Sequence, residues 1–290
     1  MKLPIIRDPK GFDPHLRNAV QAGALILGLT VLMLFCGWLY AGVQGAVVAV
    51  LLGAIGMGLA RKMPLSLLLR LNGAERLAPS DLPVLGRIVA ELCGRAGLAR
   101  MPALYAVPSA MPTAFTMGSR KEAALVVTGA LLRLLPTREL AAVLAHEIAH
   151  IRRHDVELMQ LAAAVGLVIQ TMARLAILFA VLTVWLSFFD MAELRLPALT
   201  MLVAAPVLAN LLQLALSRTR EYEADLEAIE LTGDPAGLAS ALEHIESIQE
   251  RVLDSVVPGT RRMRLPGFLS SHPPPEARIR RIRRHALPSL

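Results

Sequence analysis

Between Arg17 and Arg61 the chain carries no Asp, Glu, Lys or Arg. Wound as α-helix at 1.5 Å per residue, residues 18–60 reach about 65 Å, roughly twice the apolar thickness of a bilayer. The run therefore predicts two crossings joined by a tight turn, placed at Gly42 to Gly45. Basic residues stand outside both ends: Lys2, Arg7, Lys10 and Arg17 before it, Arg61, Lys62 and Arg70 after it. That excess of Lys and Arg places both flanks in the cytoplasm.

Composition points the same way. Hydrophobic residues make up 55% of the chain and charged ones 18%, with a mean hydropathy of +0.54, the profile of a membrane protein rather than a soluble globule. The formal charge of +7 would suit a nucleic-acid binder. Yet only 4% of residues are aromatic, and the bases cluster beside the apolar runs and at the C-terminus. The lipid bilayer, not nucleic acid, is the partner such charge implies. Cys36 and Cys93 fit no disulfide or metal framework, so free thiols in a reducing compartment are expected. The first apolar run is too long for a signal-peptide core and is expected to remain in the mature protein.

A second apolar block lies between Glu157 and Ser217. Its first half, up to Asp190, is broken only by Arg174. An arginine in mid-bilayer is costly, so Arg174 is expected near the cytoplasmic face, with Leu175 to Phe189 crossing and Leu196 to Ser217 returning. Outside these blocks the texture is that of a soluble domain. Helices are expected from Ser80 or Asp81 to Gly97, from Thr137 to His154, from Thr219 to Leu231, from Pro235 to Val252 and from Pro275 to Arg284. Ala103–Val107, Ala114–Thr116 and Ala124–Val127 read as strands of a small antiparallel sheet. The chain thus divides into a cytoplasmic lead (1–17), a first transmembrane hairpin (18–62), and the first part of a catalytic domain (63–157). A helix extension with a second hairpin (158–217) and the second part of that domain (218–290) follow. The fold class is a mainly α membrane protein, four transmembrane helices with an α+β domain.

The helix from Thr137 carries His146-Glu147-Ile148-Ala149-His150, an H-E-x-x-H pattern. Residues four apart on a helix lie one above the other, so His146 and His150 can grip one metal ion together. Glu147 leaves that stripe but stays close enough to take a proton from water activated there. This is the chemistry of a zinc hydrolase, with Zn2+ as cofactor. It needs a third ligand. Ser217 to Asp225 offers Glu221 and Asp225, again four apart, as ligand and as the acid that orients a ligating imidazole. A charged exposed helix would carry the same letters, and Glu223 suits that plainer role. Glu221 can complete the site only if an even number of crossings separates it from His146, and the second apolar block divides into two. Arg218 and Arg220 either anchor the membrane interface or pair with Asp225 or a substrate carbonyl.

Taken in order, these features resemble membrane zinc metallopeptidases of the HtpX type, related to the type I CAAX prenyl proteases. The resemblance rests on two leading spans, Pro112-Thr113-Ala114-Phe115-Thr116-Met117-Gly118, the Glu139-to-Ile151 helix, two more spans, Ser217 to Asp225, and Ser271-His272-Pro273-Pro274. It implies a gluzincin-like catalytic domain facing the cytoplasm of a bacterial inner membrane and a role in protein quality control, with membrane or misfolded proteins as substrates. It also implies an edge strand at Thr113, Ala114, Phe115, Thr116 and Met117 that pairs with substrate backbone. His272 would stabilise the oxyanion. The family usually has Asn where this chain has Thr113, and a hydroxyl makes only part of an amide's contacts. A narrow processing protease of the CAAX type and a zinc-stabilised scaffold without turnover are the rival readings.

Overall fold

The computed structural model describes residues 14–62, 64–78, 80–118, 122–153, 196–256 and 275–286, with scattered positions between 170 and 185. The chain forms two units, Met1–Gly56 with Ala162–Leu216, and Met57–Leu161 with Ser217–Leu290.

Helix α1 (Pro14–Lys62), whose residues up to Gly56 belong to the first unit, breaks at Ala41 and Gly42, where the turn was expected. Gly42 has φ 60°, a conformation that costs a residue with a Cβ and suits glycine. The two arms then close through further glycines. A Cβ added to Gly37 would run into the Gly45 carbonyl, and one on Gly45 into the Gly37 carbonyl. Leu25, Leu29, Met33 and Ala49 are buried, whereas Leu27, Val31, Trp38, Val43, Val47, Leu51 and Ile55 are each more than half exposed. Among the described residues no helix is long and apolar enough to cross a membrane. The four crossings expected from the sequence are therefore not established by the fold.

The second unit is built on a four-stranded sheet of β1 (Glu75–Arg76), β2 (Ala103–Val107), β3 (Ala114–Gly118) and β4 (Ala123–Thr128), in the order β1-β2-β4-β3. The sheet is mixed, not antiparallel as expected. β4 runs antiparallel to β3 but parallel to β2. The reason is burial: residues 124–128 are all buried, so this strand takes the centre, while the exposed Glu75–Arg76 pair and β3 fall to the edges.

Among the described residues six helices accompany the sheet: α2 (Leu65–Leu71), α3 (Pro83–Ala96), α4 (Gly129–Leu134), α5 (Thr137–Arg152), α7 (Pro235–Val256) and α8 (Pro275–Ala286). Helix α6 (Leu196–Thr232) enters from the first unit. It is continuous where a span and a separate helix were expected, because residues 207–232 contain no Gly or Pro to interrupt it. It stops at Gly233, φ 70°, whose N–H donates to Ile229 O at 2.7 Å. Two helix starts also differ from expectation. Asp81 accepts from Ala78 N rather than capping α3, which opens on Pro83. The N-cap of α5 is Pro136, with Thr137 already inside the helix.

One face of the sheet, with Leu104, Leu125 and Val127, packs against Val89 and Leu92 of α3, Leu144 and Ile148 of α5, Leu238 of α7 and Ile282 of α8. The other face packs on Leu65 and Leu69 through Phe115, Met117 and Val126. Leu144 and Ile148 are 0% exposed, and burying such a side chain stabilises by about 2 kcal/mol. Each precedes one motif histidine by two residues, so their burial sets the rotation of α5 and with it the direction of both imidazoles.

Candidate metal centre and active site

His146, Glu147 and His150 lie on the last two turns of α5 and are 7–8% exposed. Glu221 and Asp225, one turn apart on α6, are 1% and 2% exposed. Carboxylates this deeply buried demand partners, and the two histidines supply them. His146 Nε2 lies 3.2 Å from His150 Nε2 and 3.3 Å from Glu221 Oε2, and His150 Nε2 lies 3.7 Å from Glu221 Oε1. The rings stand edge to face at 89°, so both Nε2 atoms converge on the same point as the carboxylate.

These separations fit a metal ion. Ligand atoms about 2.0–2.1 Å from a tetrahedral zinc stand about 3.3 Å from one another. Two imidazole nitrogens and one carboxylate are also the donor set of catalytic zinc sites, which leave the fourth position open. Among the described residues His146, His150 and Glu221 form the group able to hold such an ion.

Asp225 acts on the far side of His146. Its Oδ1 is 3.0 Å from Nδ1, so the imidazole donates Nδ1–H there and turns Nε2 to His150 and Glu221. Asp225 is in turn gripped by Arg278 of α8, whose Nη2 lies 2.5 Å from Oδ1 and Nε 2.8 Å from Oδ2. Arg278 Nη1 also approaches Glu221 Oε2 at 3.5 Å. Burial alone would raise the Asp225 pKa, but the Arg278 charge and hydrogen bonds, with His146, hold it down at about 2. Burial likewise disfavours the Arg278 charge, yet Asp225 more than compensates and raises its pKa.

Glu147 points to the sheet: Thr116 Oγ1 of β3 donates to its Oε2 at 2.9 Å. Three further acids on these helices, Glu139, Glu223 and Glu227, have structural partners. Glu139 accepts from Ser240 Oγ and from His244 Nδ1, each at 2.7 Å, tying the start of α5 to α7. Glu223 pairs with Arg153, and Glu227 Oε1 with Arg152 Nη1 at 3.0 Å, tying the end of α5 to α6.

The structure thus brings together His146, Glu147, His150, Glu221 and Asp225. It also places Ala114, Phe115, Thr116 and Met117 on an edge strand directly preceded by Thr113. His272 lies outside the described residues. Arg220 is buried at 1% exposure, and Asp225 carries the guanidinium of Arg278. Arg278 escaped the sequence reading because α8 is rich in arginine and reads as solvated. The available signal was its place on one stripe with the apolar Ile282, one turn away and also buried.

A model of peptidase family M48 matches residues 79–286. A protease HtpX homolog of Pyrococcus furiosus is 34% identical over 284 residues, covering 92% of this chain and 96% of the relative. Another, from Gemmatimonas aurantiaca, is 33% identical over 276 residues, covering 90% and 97%. Among solved structures, S. mikatae Ste24p aligns at TM-score 0.49 and 18% identity over 92% of this chain and 63% of that one.

Proposed function

The chain belongs to peptidase family M48 and is a metalloprotease, and from that premise we propose a zinc-dependent endopeptidase of a bacterial inner membrane, acting at its cytoplasmic face on membrane or misfolded proteins. The observation that carries this reading is the convergence of His146 Nε2, His150 Nε2 and Glu221 at the mutual spacing of tetrahedral zinc ligands, with Glu147 on the same helix.

His146, His150 and Glu221 would hold the ion. When bound, zinc supplies Lewis acidity that brings the pKa of a water towards about 7 and polarises a carbonyl. Glu147 takes the proton of the attacking water and returns it to the leaving amine. Asp225, steadied by Arg278, keeps His146 in the tautomer that a ligand needs. Strand β3 accepts the substrate as an added strand along its open edge. Because that pairing uses main-chain groups, selection falls on extended conformation more than on sequence. His272 is the proposed donor to the carbonyl oxygen as charge develops on it.

The membrane reading is supported by the charge-free stretch 18–60 with bases at both ends. It is supported too by the aliphatic side chains of α1 that stand more than half exposed.

Glu147→Gln tests the proposal. Expected is a protein that retains zinc in metal analysis and loses casein cleavage. Cleavage at the wild-type rate by this variant would sink the peptidase mechanism, and undiminished function in cells would favour a scaffold.

A further inference from the structure

Thr116 has a contact that the mechanism above does not use. Its Oγ1 lies 2.9 Å from Glu147 Oε2 and 3.4 Å from the Glu147 carbonyl oxygen. A hydroxyl has a single proton to give, and the shorter contact to an anionic oxygen takes it. The pleat fixes the direction of the side chain. Phe115 and Met117 turn to the cluster around Leu69, so Ala114 and Thr116 turn to the opposite face, where α5 lies.

The main chain of the same residue faces elsewhere. Thr128 N donates to Thr113 O at 3.0 Å, and the register places Ala114 opposite Val127 and Thr116 opposite Leu125. Paired and unpaired positions alternate in an antiparallel ladder, so Thr113, Phe115 and Met117 turn their N–H and C=O groups to β4. Ala114 and Thr116 turn theirs to the edge that, among the described residues, has no neighbouring strand.

We infer that Thr116 is a positioning residue for Glu147, linking substrate pairing on β3 to the placement of the base. One residue offers its main chain to the added strand and its hydroxyl to the carboxylate that handles the proton. This rests on the reading of Glu147 as base and β3 as substrate strand. The link is physical. Glutamate has three rotatable side-chain bonds, and a misplacement of about 1 Å at a reacting group costs on the order of 100-fold in rate. Threonine, branched at Cβ, has few χ1 options on a strand, so its hydroxyl is itself well held. The hydroxyl does not face the open edge, so losing it changes kcat and not substrate pairing.

The experiment uses the full chain in detergent micelles with an extended casein-derived peptide. Thr116→Val keeps the shape and removes the hydroxyl. Its kcat is expected to fall about 10- to 100-fold with KM within about 3-fold, at wild-type zinc content and melting temperature. Thr116→Ser is expected to recover kcat to within about 5-fold, since the donor returns. Peptide affinity measured on Glu147→Gln is expected to stay unchanged when Thr116→Val is added. The inference is overturned by a wild-type kcat in Thr116→Val, by a loss carried in KM alone, or by a serine variant as impaired as the valine one. Should the valine variant not fold, Thr116→Ala against Thr116→Ser makes the same comparison. An active Glu147→Gln removes the peptidase mechanism itself, whereas an inactive Glu147→Gln beside a fully active Thr116→Val removes only the role of Thr116.

Discussion

Arg278 lies bidentate on Asp225, Nη2 to Oδ1 at 2.5 Å and Nε to Oδ2 at 2.8 Å, with both side chains buried. The pair spans 53 residues of sequence and brings α8 to α6 behind His146. A buried carboxylate left without its cation is costly, so Arg278→Met is expected to lower stability by about 3–5 kcal/mol. Thermal unfolding of the metal-free protein measures it. Arg278→Lys recovers only part, because an ammonium cannot reproduce the two-pronged contact.

Asp225→Asn separates orientation from ligation. The amide fills the same space and loses the negative charge that favours Nδ1–H on His146. Zinc affinity is expected to fall about 10- to 100-fold, read by competition with a chelator, with activity returning at saturating zinc.

The metal-free site is expected to compete with zinc for a proton. Burial opposes charge on His146, but hydrogen bonds to Asp225 and Glu221 outweigh it and push its pKa up from 6.5 to about 10. A raised folded value means stability that is full below the unfolded pKa and is lost as pH rises towards about 10. Zinc must displace this proton, so its apparent affinity is expected to rise roughly tenfold per pH unit above neutrality. Calorimetry in buffers of different ionisation heat counts the proton released. Asp225 has the opposite sign: its stabilisation is present above 3.8 and is lost as pH falls towards about 2.

Two glycines of α1 are expected to behave differently. A Cβ at Gly23 meets nothing within 4 Å, so Gly23→Ala is expected to be neutral or to stabilise by about 0.5–1 kcal/mol. At Gly45 the Cβ would strike the Gly37 carbonyl, and Gly45→Ala is expected to cost about 1–3 kcal/mol as the arms part. Thermal unfolding in detergent compares them.

How much of this was legible in the sequence follows from range. His146, Glu147 and His150 are set by helical periodicity alone, and Glu221 with Asp225 repeats the spacing on a second helix, so five side chains of the site could be named from local pattern. Strand order could not, because the central place of β4 depends on which segment the whole core buries best. The continuity of α6 was readable from the missing breakers and was obscured by the change from apolar to charged residues near Ser217. The Thr116 contact joins residues 31 apart through a sheet edge. No periodicity records that.

The order of these parts along the chain has a temporal meaning. Both histidines are made early, Glu221 follows 71 residues after His150, and Arg278 comes last. During synthesis the half-made protein therefore holds a motif without a site, and a product terminated ahead of α8 leaves Asp225 without its cation. A fragment that stops ahead of Glu221 lacks the third ligand and is expected to be proteolytically silent, so the sequence in which a ribosome delivers the pieces holds the hydrolase back until α6 is made.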